Sequence, residues 1–238
     1  MLDPTKLDLA RLDWIALAFF VLAWTAYSFL MENDRLGGRS LNTVMHGYRD
    51  LWMSRMLRRE VRIVDTQIMA SLQNGTAFFA STSLLAIGGA AALLRSAGDV
   101  VRVFEDLPFG LATSRPLWEL KAVGLLMIFI YAFFKFAWSY RLFNYAAILL
   151  GGTPPLEECD TDEARRHAAR TAAMTTAAGR HFNKGQRAFF FALGYLGWFI
   201  GPLPFLLSTA AVVAVMAGRQ YVSDGWAAVV GPDRDSAG

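Results

Sequence analysis

The sequence predicts an all-α fold: a polytopic membrane protein with four transmembrane helices and cytoplasmic amphipathic helical extensions. Two observations predict it. Charge-free stretches run from Trp14 to Met31, Thr66 to Leu94, Ala122 to Phe134 and Ala188 to Gly218, and about 20 apolar residues in a helix cross the hydrocarbon core of a bilayer. Two of the connections between them, 32–65 and 151–187, are rich in arginine and partly of helical periodicity, which is how the cytoplasmic flanks of membrane spans read. Charged residues make up only 18% of the chain against 55% hydrophobic, where an average soluble domain carries about 25%. The whole chain, residues 1–238, reads as a single helical membrane domain with spans at about 12–31, 74–94, 118–141 and 188–218.

The first helix starts near Leu7 and ends before Asn33-Asp34. Asp3, Asp8 and Asp13 dilute the basic segment that a signal peptide would carry, and no small-residue cleavage pattern follows the apolar run, so a retained anchor is expected. Arg35 to Arg39 is a Gly-containing turn. Ser40 is a good N-cap for a basic amphipathic helix in which Leu41, Val44, Met45, Tyr48, Leu51, Trp52 and Met56 recur at helical spacing among Arg49, Arg55, Arg58 and Arg59. Val61, Val64, Ile68 and Leu72 continue that stripe, so the two could form one long helix into the second span.

The second span is small and mildly polar, with Ala80, Ser81, Thr82, Ser83, Ala86, Gly88 and Gly89. Small residues let membrane helices approach closely, which argues for a packed position. Residues Ser96 to Pro116 read as loop. The third helix, Leu117 to Leu150, is longer than one perpendicular span needs and must tilt or leave the bilayer. Gly151-Gly152-Thr153-Pro154-Pro155 ends it. An acidic patch, Glu157 to Glu163, and an alanine-rich helix from about Thr161 to Gly179 follow. A fourth helix begins near Arg187. Its 31 charge-free residues are too few for two spans of about 20, so Pro202 and Pro204 predict a kinked single helix rather than a re-entrant break.

Lysine and arginine counts set orientation. Thirteen lie in the segments 32–65 and 151–187, and seven in the N-terminal, 95–116 and C-terminal segments. The expected location is therefore the bacterial inner membrane, multi-pass, with the first two segments cytoplasmic and both termini periplasmic or extracellular.

Three stretches carry a resemblance. They are Asn42 to Gly89, with YRDLWMSRMLRREVRIVDTQIMASLQNGTAFFASTSLLAIGG; Phe133 to Tyr145, FFKFAWSYRLFNY; and His181 to Pro202, HFNKGQRAFFFALGYLGWFIGP. Together they resemble a family of uncharacterised integral membrane proteins, domain of unknown function 599. The resemblance implies a polytopic membrane protein and carries over no functional residue.

Candidate sites follow from chemistry alone. Lys135 is an ionisable group within a span, which is costly and often functional. It shares a helical face with Tyr131 and Trp138, and with the hydroxyls of Ser81 and Ser83 it could line a path for a small anion. The competing reading is a lysine that snorkels to the interface with its stem under aromatics. Arg55, Arg58 and Arg59 could bind anionic lipid or simply anchor the cytoplasmic side. Gly194, Gly197 and Gly201 could pack helices within one subunit or between subunits. His46, His167 and His181 form no metal motif, Cys159 is the only cysteine, and no P-loop, GxSxG or paired catalytic carboxylates occur, so no cofactor, metal or catalytic residue is expected and an enzyme is disfavoured. Two functions stay open: an oligomeric channel or transporter for small anions, its path shared between subunits, or an accessory protein binding lipid or another membrane complex. The basic residues flank apolar spans, which leaves no reason to expect nucleic acid.

Overall fold

The computed structural model describes residues 11–32, 40–98 and 114–230. Among them the fold is helical throughout, with no strand. The helices are α1 (Arg11–Glu32), α2 (Leu41–Met56), α3 (Ile63–Arg95), α4 (Arg115–Gly151), α5 (Asp162–Ile200), α6 (Pro202–Tyr221) and α7 (Asp224–Val230), with a short 3-10 turn at Leu156–Glu158. The Arg35–Arg39 turn and most of the 96–116 linker lie outside the described residues.

Four helical segments are long and apolar enough to cross a membrane: Arg11–Glu32, Ile63–Arg95, Arg115–Gly151 and Pro202–Val230. In each, a third or less of the most apolar window is covered by protein. Large side chains such as Trp14, Ile15, Leu22, Phe29, Phe78, Leu85 and Met127 are exposed. Uncovered apolar surface on this scale is what lipid-facing helices present, and it would not be stable against water.

Local signals explain most boundaries. Ser40 caps α2, its hydroxyl accepting from Thr43 N at 3.3 Å. Thr161 does the same for α5, accepting from Ala164 N at 3.1 Å. The amphipathic stripe and the second span, which the sequence allowed to be one long helix, are two helices. Arg58 N and Arg59 N donate to carbonyls three residues back, Arg55 O and Met56 O, and this tightening ends α2. Conversely, the helix expected to stop at Gly179 runs unbroken to Ile200. No proline interrupts it. Gly185 instead marks a close approach, because a Cβ there would lie 2.7 Å from the Phe136 ring.

The chain groups into two compact units. The first comprises residues 1–29, 81–133 and 186–216, and the second residues 30–80, 134–185 and 217–238.

The first unit is built around aromatics. Phe20 meets Phe191 at 5.6 Å, Tyr195 at 5.4 Å and Phe205 at 5.2 Å between ring centroids, while Trp24 stacks on Phe191. Here the kinked fourth helix is replaced by a helical hairpin. The chain breaks at Gly201, and Pro202 opens α6 at a position where its missing N–H costs nothing. The two arms then pack side by side: Ser208 Oγ donates to Gly194 O at 2.6 Å, and Gly197 faces the Pro204 carbonyl. Partners that move forward on α6 as they move back on α5 are antiparallel. A continuous helix would hold Gly194 and Ser208 about 21 Å apart.

The second unit has a core of Met53, Met56, Leu57, Met69, Leu142, Phe143, Ala146 and Leu150 against Ala164, Ala168, Ala172 and Ala178. The alanines at four-residue spacing form a flat face on α5, which lets the larger side chains of α4 seat closely.

Candidate functional site

Among the described residues, each unit holds a cluster of ionisable groups drawn from more than one helix. The first is at the hairpin tip. Asp13, in the first turn of α1, is buried, and Lys121, seven residues into α4, is 3% exposed. Trp198, near the end of α5, joins them. Its indole N–H donates to Asp13 Oδ1 at 2.7 Å, and the Lys121 ammonium sits 5.5 Å from the centre of its ring. The Asp13 carboxylate also acts electrostatically on Lys121. A cation over an indole face is attracted by the ring quadrupole, more strongly where water is excluded. The walls are apolar and tight. Tyr195 crosses Trp198 edge-on at 5.4 Å, Phe205 stacks on it at 5.3 Å, and Gly124 leaves just the room that the Tyr195 hydroxyl fills. An acid, a base and an indole thus share a buried corner of the first unit.

The second cluster surrounds His181 on α5. Lys135 of α4, Lys184 of α5 and Glu32 of α1 all act on it. Trp138 meets its ring edge-on at 6.5 Å, and Lys184 Nζ pairs with Glu32 Oε2 at 2.8 Å. Burial first, then the positive charges of Lys135 and Lys184, hold the imidazole below its ordinary value of 6.5, with Glu32 opposing. His181 Nδ1 is buried without a hydrogen-bond partner.

The residues singled out from sequence are distributed unevenly. Lys135 is half-buried and Trp138 half-exposed, and they meet at the His181 corner. Tyr131 instead contacts Trp24 at 5.9 Å. Ser83 is fully buried while Ser81 is exposed, as two residues 200° apart on a helix must be, so they line no common wall. The arginine trio is also split. Arg58 pairs with Asp160 at 2.9 Å on an open surface, Arg59 pairs with buried Asp65, and Arg55 is exposed. Asp65 also accepts from Trp52 Nε1 at 2.6 Å, and Arg62 donates to the Thr153 and Pro154 carbonyls; this clamp fixes the α2–α3 turn against the end of α4. Gly194 and Gly197 pack α6 against α5 within one chain, and Gly201 is the hairpin's break. Among the described residues no group of His, Cys, Asp or Glu is placed to hold a metal ion.

Asp13 and Lys121 were not singled out from sequence. Lys121 stands one residue before a charge-free stretch and Asp13 one residue before another, where charges ordinarily flank a span. The signal that could have found them is pairing: an acid and a base that each stand near the start of a long apolar helix.

The chain matches the family described as "Protein of unknown function, DUF599" over residues 15–225. It belongs to that family. The match covers both clusters except Asp13. No curated protein and no solved structure matches the chain.

Proposed function

We propose that this family member is an oligomeric protein of the bacterial inner membrane that moves small anions, with Lys121 as the charge that attracts them. One observation carries the reading: Lys121 is 3% exposed inside a membrane-spanning unit, and its ammonium rests against an indole face while the Asp13 carboxylate is engaged by the indole N–H. Ionisable groups held inside a membrane mark ion and substrate paths more often than they serve packing. Subunits share the path, because one chain with these few spans encloses little space, and Lys121, buried within one unit, acts on it from behind the wall. Flux of small anions into vesicles should fall strongly in Lys121→Gln while the protein stays folded. Unchanged flux would remove Lys121 from the path.

The helical hairpin bears on orientation. The segments 32–65 and 151–187 remain our cytoplasmic side. Two antiparallel arms return the chain to that side, so we place the N-terminus outside and the C-terminal segment in the cytoplasm, instead of both outside. Lysines and arginines then divide fifteen to five, a stronger bias than the thirteen to seven of a single fourth span. Cysteine labelling in a Cys159→Ser background tests it: a cysteine at Ser114 should label from outside, and cysteines at Ala168 and Ser223 only after the membrane is opened. External labelling at Ser223 would restore the single fourth span.

A second reading, a subunit of a larger membrane complex, draws on Val61, Ile63, Val64 and Ile68, which are exposed together at the start of α3. Co-purification in mild detergent separates the two, since a pure homo-oligomer would leave that surface to lipid or to a second copy.

A further inference from the structure

One stripe of α4 changes character along its length. Phe134, Trp138, Arg141, Tyr145 and Ile148 recur at steps of three and four, so they share a helix face. Phe134, Trp138, Tyr145 and Ile148 are all exposed. Arg141 Nε donates to the Tyr145 hydroxyl at 2.7 Å, and the guanidinium lies over that ring. Exposed tryptophan, tyrosine and arginine following an apolar run are the pattern of a helix passing from hydrocarbon into headgroups. Trp138 therefore marks the interface level on α4.

The His181 corner lies at that level, since Trp138 meets the His181 ring. Lys135 stands one turn before Trp138 on α4, and Lys184 one turn beyond His181 on α5. Both positive charges act on the imidazole. Trp138 forms a wall against the same ring, and His181 Nδ1 is buried without a partner. Glu32, at the end of α1, is the acid of the corner and pairs with Lys184. Two lysines acting on one histidine are good chemistry for a phosphate, which accepts several charge-assisted hydrogen bonds at once.

We propose that Lys135, His181 and Lys184 bind the phosphate of an anionic phospholipid headgroup, with Trp138 against the glycerol region and Phe134 beside the acyl chains. Inorganic phosphate has the same acceptor chemistry. The exposed apolar surface of Phe134 next to the corner favours a ligand that carries its own apolar chains. Glu32 competes with the phosphate for Lys184. The site is separate from the Lys121 cluster, so anion flux and lipid retention can fail independently.

The test is native mass spectrometry of the full chain, delipidated and titrated with phosphatidylglycerol, with phosphatidylcholine of the same acyl chains, and with inorganic phosphate. Phosphatidylglycerol should be retained about tenfold better than phosphatidylcholine, which has the same phosphate but brings a fixed choline charge up against the two lysines. The double variant Lys135→Gln, Lys184→Gln should lose that preference, and Glu32→Gln should raise retention. Should the double variant fail to fold, Glu32→Gln decides alone: a rise supports the site, and no change or a fall overturns it. Equal retention of the two lipids, an unaffected double variant, or displacement of the lipid by millimolar inorganic phosphate would each overturn the assignment to a phospholipid.

Discussion

Removing the Asp13 carboxylate should unlock the hairpin tip. Trp198 is 1% exposed and Lys121 3%, so neither the indole N–H nor the ammonium can turn to water when Asp13 is lost. The Trp198–Asp13 bond at 2.7 Å is charge-assisted, and such a bond contributes about 1.5–3 kcal/mol. Asp13→Ala also removes the carboxylate whose charge acts on buried Lys121, so it should cost more than that one bond. Trp198→Phe keeps both charges and removes one donor, so it should cost the smaller amount, about 1.5–3 kcal/mol. Because the two changes remove the same bond, the double variant should be less destabilised than their sum by about 0.5–3 kcal/mol. Equilibrium unfolding in mixed micelles by titration with an ionic detergent measures all three. Strictly additive effects, or an Asp13→Ala protein as stable as the wild type, would show that the corner is not an electrostatic unit.

Three further outcomes follow from particular contacts. In the hairpin, a Cβ on Gly197 would lie 2.8 Å from the Pro204 carbonyl, whereas one on Gly194 comes no nearer than 3.4 Å; Gly197→Ala should therefore destabilise by about 1–3 kcal/mol and Gly194→Ala should not, in the same unfolding assay. In the α2–α3 turn, Trp52→Phe removes a bond to fully buried Asp65 and should cost about 1.5–3 kcal/mol, while Arg58→Ala breaks an exposed pair and should cost about 0–1 kcal/mol; equal effects would refute the clamp. At the His181 corner the folded imidazole titrates below its ordinary value of 6.5, so the unfolded chain binds the proton first. Stability should be full above pH 6.5, fall as pH drops through that value, and level off below the folded-state value. His181→Gln should flatten that dependence in thermal unfolding at graded pH, and an unchanged profile would assign the pH response elsewhere.

Much of this architecture is written in the charge pattern. The positions of α1, of the most apolar part of α3 and of α4 follow from runs free of Asp, Glu, Lys and Arg, the side chains that a candidate span excludes. The hairpin was hidden because counting 31 apolar residues treats each arm as if it began at Ala188. In the structure α5 starts at Asp162 and reaches Ala188 already helical, so the first arm needs only its last turns to be apolar. Gly201-Pro202 then reads equally well as a kink or a reversal until the partners of Gly194 and Gly197 are known. Lys135 was legible as a charge between aromatics, but its neighbours His181, Lys184 and Glu32 come from two other helices. The Asp13–Lys121 pair was illegible for the same reason: 108 residues separate the partners in sequence, and neither has a local partner that would reveal it.

Anion flux tests the central claim most directly. Purified protein in vesicles, with an anion-sensitive dye trapped inside, should admit a small anion such as chloride or nitrate above the protein-free background. Lys121→Gln, shown by circular dichroism and gel filtration to keep its helices and oligomeric size, should abolish most of that flux. Wild-type vesicles no leakier than empty ones, or a folded Lys121→Gln protein that conducts like the wild type, would contradict the account.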